Sequence, residues 1–141
     1  MKILKNTLFI SGLLIAVFAI SSFQKNTAQH VAFQTNGRVI TITGADFVKL
    51  EQTKNTIVID VRTPGETAAG VIEGVDLFID FNAPNFAAEV AKLDKSKTYV
   101  LYCRSGGRSA AASQVFVDKG FKTVYNLAGG ITAWKGKIIK R

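Results

Sequence analysis

Cysteine and histidine each occur once in this chain of 141 residues, as Cys103 and His30, and proline occurs only twice. A single cysteine excludes an internal disulfide. One Cys and one His far apart in sequence give no metal-ligand spacing, so no metal is predicted. His30 lies in a polar stretch near the N-terminus, which makes a Cys-His catalytic pair a poor reading. No cysteine lies near the N-terminal apolar segment, which excludes a lipid anchor on Cys there. That segment, Leu8 to Ile20, has 13 residues and is interrupted only by Ser11 and Gly12. It falls short of the roughly 20 apolar residues that a membrane span needs. No basic stripe interleaved with aromatics is present, which speaks against nucleic acid as a partner. Internal repeats and low-complexity blocks are also lacking.

The N-terminus, MKILKNTLFISGLLIAVFAISS, has a positive start in Lys2 and Lys5, then the apolar run, then small residues around Ala19 and Ser21. This three-part layout predicts a secretory signal peptide over residues 1–21, cleaved on export to the periplasm or extracellular side. An uncleaved N-terminal anchor is the alternative. Residues 22–37 are rich in Gln, Asn and Thr without clear period, and read as a flexible linker. The folded domain is then residues 38–141. Loss of Lys2 and Lys5 lowers the formal net charge from +8 to +6. The remaining excess favours anionic small molecules or acidic partners. Lys135, Lys137, Lys140 and Arg141 read as a solvated basic tail.

Within the domain, short apolar runs alternate with helical patterns. VITIT (39–43), TIVID (56–60), VDLFIDF (75–81), TYVLY (98–102) and TVYNL (123–127) are the strand segments. Thr43 and Thr63 sit where N-caps belong, with Asp46 and Glu66 three residues on in the capping-box position. Helices are predicted from GADFVKLEQ, after TPGE, over 83–93, over 107–120, and as a short last element over 130–136. Phe86, Val90 and Leu93 give the 83–93 segment one apolar face. Strands alternating with helices predict an α/β fold: a five-stranded parallel sheet with helices on both faces. Ligands of such sheets bind beyond the carboxyl ends of the strands, where Cys103 lies.

The stretch LYCRSGGRS (101–109) carries the chemistry. Cys103 leaves a buried strand; Ser105, Gly106 and Gly107 allow a tight curl that points N–H groups inward. The following helix presents its positive end. Arg104 and Arg108 add two full charges. These features together predict a thiolate near neutral pH and a cradle for an anionic product. Asp60, Arg62 and Glu66 fall near the same end of the sheet, and the favoured reading of Arg62 and Glu66 is an ion pair with each other.

IDVRTPGE, YCRSGGRS and LAGGITAWKG, in this order and spacing, resemble the rhodanese domain, and the resemblance covers residues 38–136. It implies a sulfurtransferase, with Cys103 as catalytic nucleophile and Arg104, Ser105, Gly106, Gly107 and Arg108 as the substrate-binding loop. The Cys103 thiolate would take a sulfane sulfur from an anionic donor such as thiosulfate and pass it to a thiol or cyanide, without cofactor or metal. A monomer is expected. Residues 70–75, GVIEGV, depart from the family pattern. Val71 stands where histidine is common, Glu73 where proline is frequent and Val75 where alanine is usual; Gly70 and Gly74 remain. Two other readings compete. One is a persulfide carrier or thiol-redox partner for a specific exported protein. The other is a cysteine phosphatase or arsenate reductase, which the four-residue gap between Cys103 and Arg108 disfavours, because a phosphoryl group needs a larger ring.

Overall fold

The computed structural model describes residues 37–141, which lie in one compact unit. The predicted signal peptide, His30 and all but the last residue of the linker lie outside the described residues. Five strands form one parallel sheet: β1 (Arg38–Ile42), β2 (Thr56–Asp60), β4 (Leu77–Phe78), β5 (Thr98–Tyr102) and β6 (Thr123–Leu127). Their order across the sheet is β1-β6-β5-β2-β4. The central strands are β-branched and aromatic and buried on both faces, as parallel strands between helices must be.

Alternation along β5 divides the core in two. Tyr99, Leu101 and, one step past the strand, Cys103 face a cluster that includes Phe86 and Val90 of α3 (Phe86–Ala91) and Ala112 and Phe116 of α4 (Gly107–Asp118). Val100 and Tyr102 face the opposite cluster, with Phe47 of α1 (Gly44–Glu51) and Trp134 after α5 (Gly130–Ala133). Phe47 and Trp134 meet edge to face, with centroids 4.9 Å apart. Cys103 therefore has its side chain fixed by strand parity on the α3–α4 side.

The caps form as the sequence predicts. Thr43 Oγ1 accepts from Asp46 N. Thr63 and Glu66 close a full capping box on α2 (Pro64–Ala68), with Pro64 at its start. Three elements differ from expectation. The 75–81 strand is reduced to Leu77–Phe78. It is an edge strand, and the Asp76 carboxylate, not a backbone carbonyl, accepts the Val58 N–H at 2.7 Å. The backbone nonetheless follows β2, with Ile79 N donating to Asp60 O and Phe81 N to Val61 O. The 83–93 helix is confined to Phe86–Ala91, because residues 80–86 are taken up by tight turns. The last helix stops at Ala133, where Trp134 turns to an extended conformation.

The basic tail is not simply solvated. Ile138–Ile139 form β7, antiparallel to β3 (Val71–Ile72), in a second small sheet. Lys137 Nζ lies 2.6 Å from Glu73 Oε1, and the Arg141 guanidinium stacks 4.0 Å from the Phe78 ring centroid. Val71 and Glu73, which depart from the family pattern, thus build the seat of this tail. Among the described residues, no helix is long and apolar enough to cross a membrane.

Candidate active site

Cys103 follows β5 directly, and the loop Arg104–Gly106 leads into α4. Gly106, the residue before α4, has φ +99°, a left-handed conformation natural to glycine. A Cβ there would also come within 3.3 Å of Gly129 N. This curl brings the Gly106 N–H to 3.1 Å from Cys103 Sγ. Cys103 is only 1% exposed, so its sulfur forms the floor of the loop.

A second glycine-rich segment holds the loop from behind. Ile131 N donates to Cys103 O at 2.9 Å, and Thr132 N to Arg104 O at 3.0 Å. Both donors belong to α5. The approach is so close that a Cβ on Gly130, at φ +56°, would lie 2.6 Å from Arg104 O. Because a peptide plane points its N–H opposite its carbonyl, docking these two carbonyls on α5 turns the Arg104 and Ser105 N–H groups the other way. The LAGGITAW stretch therefore aims the donors of the cysteine loop.

Burial pushes the Cys103 thiol up, yet hydrogen bonds win and hold it below its ordinary value. The donors are the Ser109 hydroxyl and the amides of Ser109, Gly106 and Ser105. Ser109 Oγ lies 3.4 Å from the sulfur. This residue lies just past the loop that the sequence singles out. A serine in the first turn of a helix carries no signal that separates it from any other helical serine. Asn126, at the end of β6, was equally silent; its Oδ1 lies 2.6 Å from Ser109 Oγ, and it is 4% exposed.

The arginines behave differently from the sequence reading. Arg104 and Ser105 are exposed on the loop, Gly106 is buried beneath it, and Gly107 is exposed as α4 opens. Arg108 is half-buried and bound by both oxygens of Glu66, Nη1–Oε2 at 2.7 Å and Nη2–Oε1 at 2.6 Å. Its charge is largely balanced there, although it still lies within Coulombic reach of Cys103. The Arg108 partnership holds the Glu66 carboxyl down to about 2, with the Thr63 capping bonds assisting against some desolvation. The expected Arg62–Glu66 ion pair is not formed. Arg62 instead grips buried Asp60, Nη2–Oδ2 at 2.6 Å, and donates to Gly70 O at 2.8 Å. Arg62 precedes α2, so the helical i,i+4 geometry that would join it to Glu66 does not exist.

A model of the rhodanese-like domain matches residues 43–137. A sulfurtransferase of Allochromatium vinosum is 34% identical over 86 residues, covering 61% of this chain and 78% of that protein. The thiosulfate sulfurtransferase GlpE of Pseudoalteromonas translucida is 29% identical over 91 residues, covering 64% of this chain and 84% of that protein. The crystal structure of a rhodanese-related protein from Thermoplasma volcanium superposes with a TM-score of 0.62 at 28% identity, covering 72% of this chain and 99% of that one. With its family model spanning both the cysteine loop and the glycine-rich segment that docks it, the chain belongs to the rhodanese-like domain family, and its relatives support sulfur transfer as its general chemistry.

Proposed function

We propose that this protein is a sulfurtransferase that carries sulfane sulfur on Cys103. The observation that supports this best is the buried sulfur with inward donors around it: Gly106 N at 3.1 Å and Ser109 Oγ at 3.4 Å. In the first step the thiolate attacks the outer sulfur of an anionic donor such as thiosulfate. The sulfur–sulfur bond of the donor breaks, its electron pair leaves with sulfite, and Cys103–S–S⁻ remains. The loop N–H groups face the charge that develops on the transferred sulfur, where fixed donors have most effect. In the second step a thiol or cyanide attacks the outer sulfur and the Cys103 thiolate departs, which completes a two-step covalent cycle.

Arg104, exposed on the loop, is the cation placed to meet an incoming anion. The closed floor suits a donor that presents one sulfur atom, and suits a phosphoryl group poorly. The apolar N-terminal run extends the proposal to action outside the cytoplasm, with the mature chain beginning near Ser22.

Steady-state kinetics with thiosulfate and cyanide test the reading. Ping-pong behaviour, lost in Cys103→Ser, is the expected result. Negligible turnover with small donors and acceptors, alongside a persulfide that passes to a protein thiol, would favour the carrier reading instead.

A further inference from the structure

The Ser109 hydroxyl has one proton and three acceptors around it. Asn126 Oδ1 is nearest at 2.6 Å, Gly106 O is at 3.2 Å, and Cys103 Sγ is at 3.4 Å. Ser109 is fully buried and Asn126 nearly so, so water does not supply a substitute partner easily. Ser109 lies in the first turn of α4, whereas Asn126 lies on β6, paired with Leu101 of β5. Two separate elements thus converge behind the sulfur, one holding the hydroxyl and the other drawing its proton.

We propose that Asn126 is a positioning residue that acts through Ser109 to set the basicity of the Cys103 sulfur. The carboxamide holds the hydroxyl at the sulfur and competes with the sulfur for its proton. A strong bond to Oδ1 leaves the sulfur with the backbone donors alone. When the sulfur carries full charge, it becomes the better acceptor and the hydroxyl turns toward it. The charged groups around the site lie elsewhere: Arg104 on the loop, Arg108 of α4 paired with Glu66 of α2 and within Coulombic reach of Asp80, and the Asp60–Arg62 pair at the end of β2. None lies on β6 or α5.

This proposal rests on Cys103 being the reacting group, but its test does not need a sulfur donor. The measurement is the rate of Cys103 alkylation against pH in the wild type, Asn126→Leu, Ser109→Ala and the double variant, with thermal melts to verify folding. Removing the competing acceptor in Asn126→Leu should lower the midpoint, by on the order of half to one pH unit for one hydrogen bond. Ser109→Ala should raise it. With Ser109→Ala already present, Asn126→Leu should have no further effect. If Asn126→Leu does not fold, Asn126→Asp decides. A carboxylate that only accepts should raise the midpoint in the wild type, and by clearly less in Ser109→Ala. An unshifted midpoint in the readable variant, or a shift of equal size with and without Ser109, overturns the proposal. A loss of sulfurtransferase activity with these couplings intact would instead count against the proposed reaction.

Discussion

Glu66 shows how one carboxylate serves two tasks. It closes the capping box on Thr63 and binds both terminal nitrogens of Arg108. Its folded value of about 2 lies below the ordinary 4.5. A depressed carboxyl contributes stability that is fully present above pH 4.5 and is lost as pH falls toward 2. Glu66→Gln should therefore be less stable at neutral pH and should show a shallower loss of stability between pH 4.5 and 2. Urea melts across that range check it; parallel curves for the two proteins would contradict it. Cys103 was legible in the sequence because glycines and arginines surround it. The partner of Arg108 was not, because Glu66 is 42 positions away and only the fold joins them. The Arg62 pairing departs from the sequence expectation for the opposite reason: a partner two residues away on the strand end, Asp60, wins over one four residues away.

At the scale of elements, the site depends on α5 as much as on the cysteine loop. Gly130→Ala would place a methyl against the Cys103 and Arg104 carbonyls at a φ of +56°. The cost should be about 1–3 kcal/mol of stability. Activity should fall by more than that destabilisation explains, because the loop carbonyls that α5 holds would move and the Arg104 and Ser105 N–H groups with them. Melting temperature and turnover measured together check this; a destabilised but fully active variant would show that the docking does not aim the loop. The order along the chain of the five main-sheet strands and the five helices, both threonine caps and the placement of Cys103 at a strand end were readable from period and punctuation, whereas β3 and β7 were not. The length of β4 was not. Edge strands have one partner, and here a side chain from Asp76 replaces part of the ladder.

At the scale of the whole domain, the chain end closes on itself. β7 pairs with β3, and Arg141 covers Phe78 while donating to Thr67 Oγ1 at 3.2 Å. A charge-rich sequence gives little sign of this, since the two strand-forming residues, Ile138 and Ile139, sit among lysines. Deleting residues 138–141 should destabilise the domain by about 1–2 kcal/mol through lost apolar burial. It should leave sulfur loading of Cys103 intact, because that chemistry lies at the loop and α5; calorimetry and a loading assay on the truncated protein separate the two effects. The central claim, that this fold presents one cysteine as a sulfur carrier, meets its most direct test in mass spectrometry of the protein after incubation with thiosulfate. The account predicts the added mass of one sulfur atom on Cys103, its removal by cyanide as thiocyanate, and no adduct in Cys103→Ser. Failure of every sulfane donor to load the protein, together with Cys103-dependent phosphate release from aryl phosphates, would contradict it.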